Sequence, residues 1–462
     1  MTKEIAAGYV MDALRKKGFE AFLVGGCVRD LLLGKEPKDY DVTTNARPEQ
    51  VMELFVNEAE APLPELSDKY HWPPRPFGDH DVKTIPVGAA FGVVTVAIDG
   101  IPTEVATYRA DGDYADGRHP DVVFYADSAR EDVSRRDFTI NGLLSLGAIY
   151  PSSLVREGTG AYVGTGPVAV RDKHYHIQDH VGGLDDLKGK IIRCIGDPDK
   201  RFGEDALRML RACRFAAQLG FEVEEGTKEA IRRNAPAIGK VSMERIAAEI
   251  LRLVSSPHPM KGLVPLIATG LVDHIPLLDR VIYGAGLSLI FRHFHAHPTD
   301  DPATGMAILT QTASGEDAAR LLRGLKLSNG LQDEINGIKL VRGTMRGMYD
   351  HDDPPYFKRL MRTPGAAKAV ALLEQDVEMG HECLRAKVAY LKSLKPEDIN
   401  PPRLVTGDDL LAMGMAAGPG FGVILRAVEE GQLAGTLRGR NEALEYARKM
   451  ASKGQSTEGK EA

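Results

Sequence analysis

The chain has 462 residues, which at roughly 100 to 200 residues per domain predicts two to four domains. Hydrophobic residues make up 43% and charged residues 27%, a balance that excludes a disordered chain, a collagen-like repeat and a disulfide-stapled mini-protein. The net charge of -7, from 58 basic and 65 acidic residues, gives no global electrostatic case for nucleic acid, so any such case rests on local patches. No run of about 18 apolar residues occurs, so no membrane-spanning helix is predicted. The opening MTKEIAAGYVMDALRKKGFEAFLVGG carries charge inside its apolar stretches and lacks a small-residue cleavage site, and the chain reads as cytoplasmic. Cys27, Cys194, Cys213 and Cys383 lie far apart with no C-x-x-C spacing; they read as small core hydrophobes rather than a zinc ribbon or redox pair.

In chain order, residues 3–17 are expected to form a helix, EAFLVGG (20–26) a short apolar strand ending in two glycines, and VRDLLLG (28–34) a helix closed by Gly34. KDYDVTT (38–44) reads as a strand. The proline- and charge-rich stretch 57–83 reads as a long loop that interrupts the sheet. GVVTVAID (92–99) and PTEVATYR (102–109) have strand periodicity and, with Gly100 between them, predict a hairpin. Residues 131–146 read as helix and 147–183 as a second insertion. From Arg201 to about residue 450 periodic apolar residues, caps and short breaks predict helix with no strand pattern, and the tail GQSTEGKEA is expected to be disordered.

Asp39 and Asp41 stand two apart in the expected strand, and period-two alternation would point both carboxylates to one face, within reach of a shared Mg2+. Upstream, Gly25 and Gly26 sit where a strand turns into a helix, so backbone N–H groups can approach a phosphate there, with Arg29 one turn later. Glu104 offers a third carboxylate from a neighbouring strand. A D-x-D alone is compatible with a solvated strand end and a Gly-Gly alone with an ordinary turn; the combination within residues 25–41 is harder to read that way.

LVGGCVRDLLLG, KDYDVTT, TEVATYRADGDYADGRHP, RRDFTINGL and GDPDKRFGEDALRMLRACRFAAQLGF follow one another in that order. Together with SMERIAAEI (242–250) they closely resemble the class II tRNA nucleotidyltransferase and bacterial poly(A) polymerase family, over residues 20 to about 275 apart from the two insertions. Beyond about 280 the likeness thins to a helical body and tail, with TGDDLLAMG (406–414) as the best landmark. The resemblance implies an α+β fold: a polymerase-beta-like nucleotidyltransferase head with a mixed sheet, then an all-helical neck, body and tail. The corresponding segments are a head at 1–147, with an insertion near 57–83, and a connecting segment at 148–183. A neck at 184–275, a body at 276–400, a tail at 401–452 and a disordered end at 453–462 follow.

It further implies transfer of nucleotides from CTP and ATP to the 3′ end of RNA. Asp39 and Asp41 would be the metal-binding and catalytic carboxylates for Mg2+, with Glu104 in the place of a third. Nucleotide contacts would fall to Gly25, Gly26, Arg29, Arg136, Asp137 and Asn141, and to Glu204, Asp205, Arg208, Arg211 and Arg214 on the helix EDALRMLRACRF. In the family this helix reads the incoming base. Cytosine and adenine both present an amino donor beside a ring-nitrogen acceptor, whereas uracil and guanine present a carbonyl beside an N–H, so a carboxylate with a guanidinium suits C and A. Arg211 and Arg214 would meet triphosphate or primer phosphate.

The full-length stretch 111–137 favours CCA or A addition over CC addition, and VGAAFGVVTV (87–96) looks more like the tRNA enzymes than poly(A) polymerase. CCA addition to tRNA is therefore the expected activity; A addition, poly(A) synthesis and a catalytically inactive RNA-binding module are the alternatives. His174, His176 and His180 lack an acidic or cysteine partner at tight ligand spacing and read as a surface loop. His293, His295 and His297 read as a solvated helix end. No membrane contact is expected, and the sequence does not reveal an oligomeric state.

Overall fold

The computed structural model describes residues 1–55, 80–86, 88–110, 124–149, 167–170, 173–284, 286–347, 353–415 and 417–458. Most of the two expected insertions, and residues 111–123, lie outside the described residues. The chain forms two compact units, Met1–Asp279 and Arg280–Ala462.

The first unit opens with α1 (Lys3–Lys16), whose N-terminus is capped by the Thr2 side chain and whose buried face carries Ala6, Val10 and Leu14. It continues with β1 (Ala21–Val24), α2 (Gly26–Leu32), β2 (Val42–Thr44), α3 (Pro48–Leu54), β3 (Val82–Ile85), β4 (Val93–Ile98) and β5 (Ile101–Thr107). A small ribbon of β6 (Arg109–Ala110) and β7 (Phe124–Tyr125) precedes α4 (Ala129–Ser134). Then come β8 (Leu143–Ile149), β9 (Pro167–Val170) and β10 (Lys173–Asp179). Eight strands form one mixed sheet in the order β3-β4-β5-β2-β1-β8-β10-β9. All pairings are antiparallel except β2 with β5. The β4–β5 hairpin turns at Asp99 and Gly100, both at positive φ (51° and 77°), the conformation that twists two strands tightly back on each other.

The helical part of this unit begins with α5 (Gly183–Gly189) and β11 (Ile191–Ile192), then α6 (Pro198–Glu204), α7 (Leu207–Leu219) and β12 (Glu222–Val223). It continues through α8 (Glu225–Asn234), α9 (Met243–Val254) and α10 (Pro259–Ala268) to α11 (Leu278–Tyr283), which straddles the boundary between the units. The second unit carries α12 (Leu287–Ala296), α13 (Pro302–Leu309), α14 (Gly315–Gly324), α15 (Asn329–Gly347), α16 (Pro354–Leu360) and α17 (Ala366–Glu378). It ends with α18 (Arg385–Ser393), α19 (Pro396–Ile399), α20 (Gly407–Ala412), α21 (Pro419–Ala434) and α22 (Arg440–Glu458). TGDDLLAMG is a capped start: Thr406 and Asp409 form the capping box of α20. None of the described helices is long and apolar enough to cross a membrane.

An α+β head with a mixed sheet followed by helices is thus the architecture, as expected, but several elements differ from the sequence reading. The expected helix 131–146 stops at Ser134, and Leu143–Ile149 is a strand sandwiched between β1 and β10. A short apolar run such as LLSL fits a buried helix or a buried strand equally, and only sheet neighbours decide. The connecting segment 148–183 contributes β9 and β10 to the head sheet, and the stretch 57–83, expected as a loop, includes strand residues at Val82 and Lys83. Beyond Arg201 the described residues include one short strand, β12, paired in parallel with β11. The last helix runs on to Glu458 into the expected disordered end. Cys383 is exposed, unlike the three buried cysteines.

Candidate active site

The C-terminal end of β1 meets α2 at Gly25, whose φ of 79° and ψ of -134° suit glycine alone. A Cβ there would lie 3.6 Å from Arg136 Nη1, and one at Gly26 would lie 3.6 Å from Arg29 Nη2, so the two glycines bring two guanidinium groups against bare backbone. This corner forms one wall of a cleft of about 490 Å³. Seven arginines (29, 135, 136, 208, 211, 214 and 245) line it with three aspartates (41, 137 and 205), an arginine-rich hollow in a chain of net negative charge.

The expected strand at 38–44 is regular only from Val42, although Val24 N still donates to Asp41 O at 3.0 Å and extends the ladder by one residue. Asp41 lines the cleft. Because β2 pairs in parallel with β5, Val42 opposite Val105, Asp41 and Glu104 are the next neighbours along the two strands. Burial, then Glu104, then Asp39 push the Asp41 carboxyl up to about 6, against the lowering effect of Arg136. Asp39 is off the strand and not among the lining residues: its side chain is 78% exposed and pairs with Lys3 Nζ at 3.1 Å. Glu104 is also exposed and outside the lining.

No group of three or more His, Cys, Asp or Glu stands ready to hold a metal among the described residues. The donor chemistry nevertheless fits Mg2+, which takes one or two carboxylates and completes its shell with phosphate oxygens and water. Burial is the first cause of the raised Asp41 carboxyl, and a cation there would offset the second, the repulsion from Glu104 and Asp39.

Opposite the glycine corner, Asp132 is fully buried and organises the arginine pair of RRD. Its Oδ1 accepts from Arg135 Nη2 at 2.5 Å and Arg109 N at 3.2 Å, and its Oδ2 from Arg136 Nη2 at 2.9 Å and Thr43 Oγ1 at 3.2 Å. Burial alone would raise this carboxyl, but Arg136 and Arg135 outweigh it and hold it well below the usual range. Arg136 Nε is buried with no hydrogen-bond partner among the described residues, a donor left over beside the cleft.

EDALRMLRACRF is not one helix: α6 ends at Glu204, and Asp205 is extended (φ -146°, ψ 102°) before α7 begins. Asp205 Oδ1 accepts from Leu207 N at 3.1 Å, which satisfies a free donor in the first turn of α7, while Oδ2 accepts from Arg245 Nη2 at 2.7 Å. Arg208 donates to Glu204 Oε2 at 2.7 Å and to the Arg135 carbonyl at 3.2 Å. Glu204 therefore sits behind Arg208 and is not a lining residue.

Arg211 and Arg214, expected to face phosphates, are already neutralised. Arg211 donates from Nε and Nη2 to Asp137 Oδ2 at 3.0 and 2.7 Å, and Arg214 pairs through Nε with Glu249 at 2.5 Å. Burial pushes the Asp137 carboxyl up, but Arg211 and the Asn141 hydrogen bond prevail and bring it to about 2. Asn141 bridges onward, donating to Asp137 Oδ1 at 3.1 Å and accepting from Arg29 Nη1 at 2.8 Å. The Phe215 ring lies at the centre of this relay. The guanidinium carbons of Arg29 and Arg211 stand 5.2 Å from its centroid and that of Arg214 3.7 Å, while Phe138 meets it edge-on at 5.7 Å.

The structure thus brings Gly25, Gly26, Arg29, Asp41, Arg136, Asp137, Asn141, Asp205, Arg208, Arg211 and Arg214 around one cleft, and leaves Asp39, Glu104 and Glu204 outside its lining. Sequence reading missed Asp132, Arg135, Phe215, Arg245 and Glu249. Arg245 and Glu249 lie four apart in SMERIAAEI, one helical face, and that spacing was the available signal.

Comparison with known proteins agrees with the geometry. Residues 21–71 and 76–155 match the family model described as "Poly A polymerase head domain", and residues 220–282 that described as "Probable RNA and SrmB- binding site of polymerase A". A CCA-adding enzyme of Lactobacillus helveticus is 32% identical over 96% of both chains. The crystal structure of the Bacillus stearothermophilus CCA-adding enzyme in complex with CTP aligns over 100% of both chains at 26% identity and a TM-score of 0.70. The Thermotoga maritima CCA-adding enzyme complexed with tRNA shares the fold at 18% identity and a TM-score of 0.57, over 96% of this chain and 94% of its own. A head sheet that ends in a glycine corner, a carboxylate at its edge and an arginine-lined cleft closed by helices, together with a full-length relative at this identity, place the chain in the family of CCA-adding enzymes, the tRNA nucleotidyltransferases.

Proposed function

We propose that this chain adds C and A from CTP and ATP to the 3′ end of tRNA without a template, releasing pyrophosphate, in the cytoplasm. The observation that carries the reading is the cleft itself: arginine-rich, large enough for a nucleoside triphosphate, and bordered by Asp41 at the glycine corner. The triphosphate lies against Gly25 and Gly26, where Arg29 and Arg136 supply charge-assisted hydrogen bonds and the unpartnered Arg136 Nε a further donor. Asp132 holds Arg135 and Arg136 in place by burying its charge against both.

Asp41 and Asp39 hold Mg2+, with Glu104 as the third carboxylate. The Lys3 pair on Asp39 is solvent-exposed, and a pair of that kind contributes only about 0–1 kcal/mol and yields readily to a cation. The chemistry Mg2+ supplies when bound there is activation of the primer hydroxyl and neutralisation of departing pyrophosphate.

Base choice falls to Asp205 and Arg208, both on the cleft wall. Asp205 spends two of about four lone-pair sites on Leu207 N and Arg245, which leaves acceptor capacity for an amino group of C or A. Arg208, anchored by Glu204, donates to the adjacent ring nitrogen. Uracil and guanine would set acceptor against acceptor and donor against donor, a mismatch of several kcal/mol in a closed site. Arg211 and Arg214, each neutralised by a carboxylate, act with Phe215 as the rigid back wall and not as phosphate ligands.

The test incubates the protein with tRNA lacking its 3′ terminus and one labelled nucleotide at a time. Uptake of CTP and then ATP supports CCA addition. Uptake of ATP alone onto any RNA indicates poly(A) synthesis, and no uptake with retained RNA binding an inactive binder; either refutes the proposal. Asp39→Ala is expected to keep RNA binding and lose transfer.

A further inference from the structure

The second unit contains a charged cluster that the polymerising reaction does not use. His293 reads from sequence as solvated but is fully buried. Its Nε2 pairs with Asp376 Oδ1 at 2.9 Å, and Asp376 is itself fully buried. Arg342 donates to the same carboxylate from Nε at 2.9 Å and Nη2 at 2.7 Å, and to Gln311 Oε1 at 2.6 Å. Arg346 stands 3.7 Å from Asp376 and donates to His381 at 3.2 Å. Lys339, Arg342 and Arg346 lie on one face of α15 and line a single small cavity of about 80 Å³ with Gln311. Lys339 Nζ is buried and has no hydrogen-bond partner among the described residues.

Among the described residues the charges there do not balance: one carboxylate, Asp376, faces two guanidinium groups, and the Lys339 ammonium beside them has no acidic partner. An unpaired buried cation is destabilising unless an anion or water meets it. The desolvation also lowers Lys339 to about 8, which leaves it mostly charged at neutral pH.

We infer that this cavity is a binding site for one phosphate group, held by the Lys339 ammonium with Arg346 and Arg342. The Lys339 ammonium and the Arg346 guanidinium, with the charge of Arg342 behind them, suit a tetrahedral oxyanion. The volume accepts a single such group and excludes a nucleoside, for which the cleft of the first unit has about six times the room. The phosphate can be free inorganic phosphate or a backbone phosphate of bound RNA.

The test is calorimetric titration of inorganic phosphate into the full chain, with the first cleft saturated by CTP, in chloride buffer of constant ionic strength. Wild type is expected to show one saturable site, weakened about tenfold or more in both Lys339→Met and Arg346→Gln. Methionine keeps the apolar stem and removes only the charge, so Lys339→Met is expected to fold at least as stably as wild type without phosphate; Arg346→Gln tests the same site independently. No saturable site, or affinity unchanged in both variants, overturns the inference. A parallel titration of tRNA lacking its 3′ terminus separates the sources. Weaker RNA binding in Lys339→Met, with phosphate competing in wild type, assigns the site to RNA backbone; unchanged RNA binding assigns it to free phosphate.

Discussion

Replacing Asp41 with asparagine tests the electrostatics of the cleft at its edge. In the folded protein this carboxyl is raised from its ordinary 3.8 to about 6, by burial first and by Glu104 and Asp39 next. An acid whose pKa is raised on folding costs nothing below the unfolded value, where both states are protonated, and its full cost appears above the folded value. The rise amounts to at most about 3 kcal/mol at pH 7.5, reached through pH 4 to 6. The substituted amide carries no charge, so Asp41→Asn is expected to unfold at higher urea than wild type at pH 7.5, by about 1 M for an m-value of 2–3 kcal/mol/M, and at nearly the same urea at pH 4. Mg2+ is expected to raise the wild-type midpoint and leave that of Asp41→Asn nearly unchanged. An Asp41→Asn variant no more stable than wild type at pH 7.5, or one whose advantage persists undiminished at pH 4, would refute a buried, repelled carboxylate at this position.

Asp132→Asn leaves Arg135 and Arg136 without their buried counter-charge and is expected to cost about 3–5 kcal/mol in chemical denaturation, with weakened nucleotide binding by equilibrium titration. Phe215→Ala removes the ring on which three guanidinium groups rest. It is expected to cost about 3–5 kcal/mol and to weaken CTP and ATP alike, so the ratio of their incorporation rates stays constant. The double exchange Asp205→Arg with Arg208→Asp is expected to shift incorporation toward U or G or to abolish selectivity; clean C and A incorporation in single-nucleotide assays would remove the base-reading role.

The division between local and long-range information is visible in particular residues. Gly25 and Gly26 after an apolar strand, the Asp99-Gly100 turn and the capped helices announce themselves because their signals lie within a few residues and reflect φ, caps and periodicity. The ordered motifs likewise carried the family, the mixed-sheet head and eleven of the lining residues. By contrast, Leu143–Ile149 became a strand only because β1 and β10 flank it, which no window of its own sequence contains.

The same holds for the charges. Sequence supplies the formal charge of Asp205, Arg211, Arg214 and His293, but not their partners. Asp205 meets Arg245 from 40 residues away, Arg211 meets Asp137 from 74, and His293 meets Asp376 from 83. Which arginine remains open to a ligand, and which is spent on a carboxylate, depends on distances of about 3 Å set by packing. The residues alone therefore determined what chemistry the chain could perform and the local turns that begin the site. The tertiary fold decided which charges are neutralised, which stay free, and where an unsatisfied one creates a site.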